Sequence, residues 1–385
     1  MHALVTADSI GGVWTYVREL VTGLVRRGVR VTLVNFGQIP SGDQVEWLEK
    51  IPVDFRPTGF RLEWMQDAPE DLALSTEYLL SVVRETQPDI LHLNQYAYGA
   101  LDVSIPKLVV AHSDVMSWWM AVHGEEPRET RWSAWYCEIV RRGLAGAAAV
   151  VAPSQWMLDA LCSRYLGPAR HLGPAQPANA SPLARPANIT VIHNGRTPAL
   201  FHPHISKEDC VVSAGRLWDG GKQISLLSGI DPPFPVQIAG SNEHPDSAVP
   251  SHGRQATGNR VELRGRLTEK QMQQLYGRAA IYVATSQYEP FGLAPLEAAL
   301  SRCALVLNDI PTFHELWGDS ACYFRYNDAQ SLADTLKRLA EDRESRIAYA
   351  NLAYHRARQC FTTDHMVDAY MGLYQSLVRT EAEAA

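Results

Sequence analysis

Short apolar runs alternate along the chain with longer stretches in which apolar residues recur every three or four positions. Residues 3–7, 13–27 and 29–35 set the rhythm: strand, amphipathic helix, strand. Within 13–27, Val13, Val17, Leu20, Val21 and Leu24 form one stripe that Arg18, Glu19, Arg26 and Arg27 avoid, so a single helix face is predicted to be buried. Apolar strands joined by such helices belong to parallel sheets covered on both faces. Further strands are predicted at 90–93, 108–111, 148–152 and 190–192. The segment 167–187 is rich in Pro and Ala and reads as a surface loop. A turn at Asn194-Gly195 then introduces a second half with the same alternation. There the pattern predicts strands at 210–214, 236–239, 260–263, 280–284 and 304–307, and helices from about Gln223, at 269–278, at 294–301 and at 328–342. Ala353, Ala357, Phe361, Met366, Tyr370 and Tyr374 mark terminal helices. The expected architecture is α/β: two doubly wound, Rossmann-like domains, 1–196 and 197–355, and a helical segment, 356–385, packing back on them.

The length of 385 residues suits two such domains, each large enough for its own core. Against 42 Asp plus Glu stand 35 Lys plus Arg, a formal charge of −7, so no overall positive field draws the chain to nucleic acid. The cysteines at 137, 162, 210, 303, 322 and 360 form no CxxC pair, which argues for reduced thiols over a zinc site or a disulfide framework. The first residues run straight into a strand and lack the basic start and long apolar core of a signal peptide. No run of about 18 apolar residues occurs anywhere. A cytoplasmic protein without a transmembrane segment is expected, with peripheral membrane contact left open.

In doubly wound sheets ligands bind beyond the carboxyl ends of the strands, so chemistry is sought in those loops. Gly11 and Gly12 lie between the first strand and the first helix. They either let an anionic oxygen reach the helix amides or serve a tight turn. Gly215-Arg216-Leu217-Trp218-Asp219-Gly220-Gly221-Lys222 follows the first strand of the second half. Arg216 and Lys222 there are either two donors for a diphosphate or two solvated cations on a loop. A P-loop is rejected, because Gly221 intervenes before Lys222 and Gln223 stands where Ser or Thr would hold magnesium. In Glu289-Pro290-Phe291-Gly292-Leu293-Ala294-Pro295-Leu296-Glu297, Pro290 and Gly292 break the chain and Pro295 fits a first helical turn. Glu289 and Glu297 can accept hydrogen bonds from sugar hydroxyls while the amides of Phe291, Gly292 and Leu293 point at the same space. Glu297 is equally an ordinary acid in a first turn.

The Glu-x7-Glu spacing within Glu-Pro-Phe-Gly-Leu-x-Pro-Leu-Glu, the preceding Gly-Arg-Leu with its following Lys, and the Asn-Gly at the junction resemble the retaining glycosyltransferases of family 4. The resemblance spans nearly the whole chain. It implies the GT-B fold, two Rossmann-like doubly wound domains facing each other across a cleft. It further implies that Glu289 contacts donor-sugar hydroxyls, Glu297 the nucleotide ribose, and Arg216 and Lys222 the diphosphate. The glycine loop, Gly11 and Gly12, would approach the donor phosphate or the acceptor. His112 would face the donor sugar and support its charge, making it and Glu289 the catalytic pair. The chain departs from the family pattern where Ser113 separates His112 from Asp114, where Lys222 stands six rather than five residues after Arg216, and where Gln223 replaces a common Gly. Trp118, Trp119, Trp132, Trp135 and Tyr136 crowd the stretch after His112. Aromatic faces stack on sugars, so Trp118 and Trp119 are acceptor candidates on the first domain, with core packing the alternative.

No Asp-x-Asp occurs, so leaving-group charge falls to Arg216, Lys222 and helix amides, and no metal or other cofactor is expected. The function expected is retaining, metal-independent transfer of a sugar from a nucleoside-diphosphate sugar to a hydroxyl. UDP-sugar is favoured and GDP-mannose comes next; the acceptor is a glycan, a lipid-linked saccharide or a small molecule. The alternatives are a nucleotide-sugar epimerase of the same fold and a non-catalytic nucleotide-sugar or glycan-binding protein.

Overall fold

The structure, a computed structural model, describes residues 1–65, 67–166, 186–242 and 260–384. Residues 167–185, most of the expected Pro- and Ala-rich loop, lie outside the described residues. The chain divides into two compact units. One gathers Met1–Ser117, Glu126–His193 and Met366–Ala385; the other gathers Trp118–Glu125 and Asn194–His365.

The first unit is built on a parallel sheet of β1 (His2–Asp8), β2 (Arg30–Phe36), β3 (Val53–Pro57), β4 (Ile90–Leu93), β5 (Lys107–Val110), β6 (Ala149–Ala152) and β7 (Asn188–Val191), in the order β3-β2-β1-β4-β5-β6-β7. Every residue of β1 is buried, which is why the strand reads as a continuous apolar run rather than an alternating one. On one face, helix Gly12–Arg26 buries Val17, Leu20, Val21 and Leu24. Helix Thr363–Ala384 joins it so closely that a Cβ on Gly23 would stand 2.5 Å from Val367. Tyr370 and Tyr374 complete that core. Between them lies His92, fully buried on β4. Its Nδ1 is 2.6 Å from Tyr374 Oη and its Nε2 3.1 Å from Tyr16 Oη, and burial pushes its pKa down to about 3, so a neutral ring joins the two hydroxyls.

The second unit repeats the plan with β8 (Glu208–Ala214), β9 (Val236–Ala239), β10 (Val261–Gly265), β11 (Ala279–Ala284), β12 (Ala304–Asn308) and β13 (Cys322–Phe324), all parallel, in the order β10-β9-β8-β11-β12-β13. Helices Glu269–Arg278, Leu293–Leu300 and Arg343–Cys360 cover one face and Ala329–Glu341 the other. Helix Arg343–Cys360 runs straight through residue 355. One expected helix is much shorter than its pattern suggests. Only Ser225–Ser228 follows Gln223, because Gln223 itself adopts a left-handed φ of 49° and Pro232-Pro233 lies just beyond. Strands β3 and β13 and helices Ala68–Thr86 and Pro311–Trp317 were not anticipated. Strand β3 is a half-exposed edge carrying Asp54 and Arg56, and β13 has three residues, too few to show a period.

Candidate functional site

In the second sheet the chain winds one way from β8 through β9 to β10 and the other way from β11 to β13, so β8 and β11 are neighbours whose following loops open the sheet between them. Those loops are Gly215 to Lys222 and Thr285 to Gly292. Gly240, at the end of β9, lets the first of them lie close, since a Cβ there would meet Gly215 O at 1.7 Å. The two loops are stitched together by backbone. Thr285 Oγ1 donates to Lys222 O at 2.7 Å, and Gln287 N donates to Gly221 O at 2.9 Å. From below, buried Asn308 donates to the carbonyls of Thr285 and Ser286, and its Oδ1 accepts from Asn327 N at 3.1 Å.

This framework brings Lys222 and Glu289 together, Nζ to Oε2 at 2.5 Å, with Ser286 Oγ donating to the same carboxylate oxygen at 3.0 Å. Lys222 is 17% and Glu289 13% exposed, so both are largely out of water and the pair is weakly screened. Arg216 is paired with Asp219 at 2.6 Å, its guanidinium 5.2 Å from the Trp218 ring centroid. Asp219 is buried and also accepts from Gly221 N and from Trp118 Nε1, both at 2.9 Å. Burial alone would raise its pKa; the charges of Arg216 and Lys222, helped by those two donors, outweigh it and hold the carboxyl below its usual range. Arg216 and Lys222 therefore flank one buried carboxylate. Lys222 closes a single 3-10 turn, Gly220–Lys222, and Gln223 after it adopts φ 49°, a conformation that glycine takes without strain.

Gly292, at φ 90°, turns the second loop into helix Leu293–Leu300, and a Cβ there would press on Glu289 Cγ and Pro295 at 3.2 Å. The Phe291 ring goes into the core, edge-on to Phe361 at 5.5 Å, so Phe291 can offer a ligand only its backbone. Leu293 opens the helix, half-buried against the same core. Glu297, one turn on, is ion-paired to Arg196 at 2.9 Å.

The other candidates stand in the first unit. Gly11 takes φ 87° at the head of helix Gly12–Arg26, and both Gly11 and Gly12 are exposed. Asp8 Oδ1 accepts from Ile10 N at 2.6 Å and shapes that turn. After β4, Asn94 Nδ2 donates to Thr6 O at 2.5 Å, which points its Oδ1 at His112 Nε2, 2.6 Å away. His112 thus carries its proton on Nε2 and presents Nδ1 as an acceptor. Burial pushes its pKa down to about 3, and its ring packs edge-on to Tyr16 at 4.5 Å. Asp114 has a structural task, accepting from Ser117 N and Oγ, Tyr136 Oη and Tyr165 Oη at 2.7 to 3.3 Å at the start of helix Val115–His123. The sequence reading placed Trp118 and Trp119 on the first domain; in the structure they group with the second unit. The physical reason is the bond from the Trp118 indole to Asp219, and Trp119 packs on His123 at 4.2 Å. Trp132 stacks on Tyr136 at 5.4 Å in the first unit's core.

Asp219, Ser286, Asn94 and Arg196 escaped the sequence reading. Only Arg196 had a local signal, the Asn-Gly turn before it. Among the described residues no group of three or more His, Cys, Asp or Glu could hold a metal ion, and no helix is long and apolar enough to cross a membrane. All six cysteines are free thiols.

Two family models match the chain: Glycosyltransferase Family 4 over residues 10–172 and Glycosyl transferases group 1 over residues 222–356. The lipopolysaccharide core biosynthesis mannosyltransferase LpcC of Rhizobium leguminosarum bv. viciae is 26% identical over 213 residues, 49% of this chain and 60% of that one. The chain spans about half the length of the curated relatives it matches. Among solved structures, sucrose-phosphate synthase from Thermosynechococcus elongatus superposes with a TM-score of 0.73 at 16% identity, covering 98% of this chain and 99% of that one. Anabaena Alr3699/HepE in complex with UDP and glucose gives 0.71 at 18% identity, covering 98% and 100%. With each half of the chain matched by its own model and both sheets wound as described, the chain belongs to glycosyltransferase family 4 and has the GT-B fold.

Proposed function

We propose that this chain transfers a sugar from a nucleoside-diphosphate sugar to a hydroxyl acceptor, with retention of anomeric configuration and without a metal ion. One observation carries the reading: Arg216, Lys222 and Glu289 converge on the loops after β8 and β11. A diphosphate is the anion that a planar fork and a point ammonium would take up together, and preorganised cations of this kind stabilise a departing diphosphate as the glycosidic bond breaks. Asp219 and Glu289 hold the two cations in place until the donor arrives. Glu289, kept in position by Ser286, then accepts from the donor sugar's hydroxyls, and Glu297 from the ribose. His112 serves the sugar as a neutral imidazole, and Gly11 and Gly12 offer amides to an anionic oxygen; these roles follow the family resemblance. A UDP-sugar is favoured, supported by the UDP and glucose in the HepE crystal, and GDP-mannose comes next, supported by relatives named mannosyltransferases. The hydroxyl acceptor is a glycan, a lipid-linked saccharide or a small molecule.

The test is a screen of nucleotide release from UDP-, GDP- and ADP-sugars with and without saccharide acceptors, in EDTA, with NMR of the product's anomeric proton. Acceptor-dependent release that survives EDTA and yields the donor's anomer is expected. Isomerisation of the donor without acceptor would replace this reading with an epimerase. Binding without turnover would replace it with a binding protein, and turnover restored only by magnesium or manganese would remove the metal-independent step.

A further inference from the structure

Arg196 follows the Asn-Gly turn, and its side chain is 1% exposed. An arginine stays so completely buried only where anions and acceptors replace its water. Two carboxylates stand against it: Nη2 donates to Glu269 Oε1 at 2.8 Å, and Nε lies 2.9 Å from Glu297 Oε1 in an ion pair too bent for a hydrogen bond. The Phe201 ring lies against the guanidinium, 5.3 Å to its centroid. The backbone is pinned on both sides, Arg196 N donating to Phe361 O at 3.0 Å and its carbonyl accepting from Thr363 N at 3.2 Å. Close approach there demands glycine at 195, where a Cβ would stand 2.3 Å from Thr362 O. Phe361 in turn meets Phe291, in the same motif as Glu297.

A buried guanidinium fixed by its own backbone and by a second carboxylate sets a weakly screened positive charge 2.9 Å from Glu297 Oε1 and so favours one place for that carboxylate. A carboxylate offers about four lone-pair sites, so this pair and ribose hydroxyls are compatible partners. We infer that Arg196 is a positioning residue: it holds Glu297 where the two ribose hydroxyls of the donor arrive, and so sets a preference for ribonucleotides over nucleotides that lack those hydroxyls. The inference rests on the donor reading above. A ligand without the hydroxyls would leave the fixed carboxylate desolvated, the asymmetry by which hydrogen-bonding sites discriminate.

Titration calorimetry with UDP and 2′,3′-dideoxy-UDP, or the guanosine pair where the wild type prefers it, reads the preference. The wild type is expected to bind UDP at least about ten-fold more tightly than the dideoxy nucleotide. Arg196→Met should bring the two affinities within about two-fold of each other, chiefly by weakening UDP, and Arg196→Lys should fall between. Arg346→Met is the matched control. It removes another buried arginine of the same unit, paired with Asp209 at 2.9 Å, and should keep the wild-type preference. Equal weakening of both nucleotides in Arg196→Met, or an unchanged ratio, overturns the inference. Should Arg196→Met not fold, the ratio in Arg196→Lys decides alone, an unchanged ratio overturning the inference. A wild type that binds neither nucleotide defeats the donor reading before any variant is made.

Discussion

The loop after β1 in the first unit and the loop after β8 in the second occupy the same place in the same kind of sheet, yet they are furnished differently. The first is made of Asp8, Ser9, Ile10, Gly11 and Gly12, with a carboxylate capping its own turn and exposed amides at a helix head. The second carries Arg216 and Lys222 around buried Asp219. One plan of winding thus supports glycine amides beside a single capping carboxylate in one unit and a cationic grip in the other, and the difference lies in side chains that the fold does not dictate.

The largest expected break in this contrast is Glu289→Ala. Turnover should fall at least about 100-fold while the Kd of UDP alone stays within about ten-fold, because Glu289 is assigned to the sugar and reaches the nucleotide only through Lys222. Lost nucleotide affinity at preserved turnover would reverse the roles. Arg216→Ala comes next. Removal of a charge-assisted contact of about 1.5–3 kcal/mol should raise the Kd of UDP by about 10- to 100-fold, and an unchanged Kd measured by calorimetry would return Arg216 to the status of a solvated cation.

A third test contrasts the units through pH. In the first unit Glu63, buried while accepting from Tyr96 N and Ala97 N, has its pKa pushed up by burial to about 7. For a raised carboxyl the stabilising contribution is full below about pH 4.5 and is lost as pH rises through 7. Glu63→Gln should remove that dependence, so that variant Tm minus wild-type Tm climbs by roughly 3–6 °C between pH 4.5 and 7.5. A flat difference contradicts the burial argument. His92 and His112 act in the opposite sense, since their depressed pKa values give stability present above about pH 6.5 and lost as pH falls toward 3. The smallest effect expected is that of Tyr374→Phe, which loses one buried hydrogen bond to His92, about 1 kcal/mol in a denaturant titration, without changing the Kd of UDP.

Most of the strands were legible because parallel strands buried on both faces leave short apolar runs, and because glycines and prolines punctuate them. The Glu289 to Glu297 motif was legible for a related reason: its loop needs Pro290 and Gly292 within a few residues. What pairs with what was not legible. Lys222 and Glu289 are 67 residues apart, Trp118 and Asp219 are 101 apart, and Arg196 and Glu269 are 73 apart. Those partnerships are decided by which strands lie side by side, and hydropathy carries no record of that. Gln223 shows the same limit locally: its side chain suits a helix, yet the loop geometry takes its backbone left-handed.

Helix Thr363–Ala384 supplies Val367, Tyr370 and Tyr374 to a core otherwise built from residues before 193. During synthesis the first unit therefore waits, with one face of its sheet uncovered, while the ribosome makes the whole of the second. Its last layer is laid down only when the chain returns, so a fragment cut at the Asn-Gly turn would expose Val17, Leu20 and neutral His92 to water and would be expected to aggregate rather than fold.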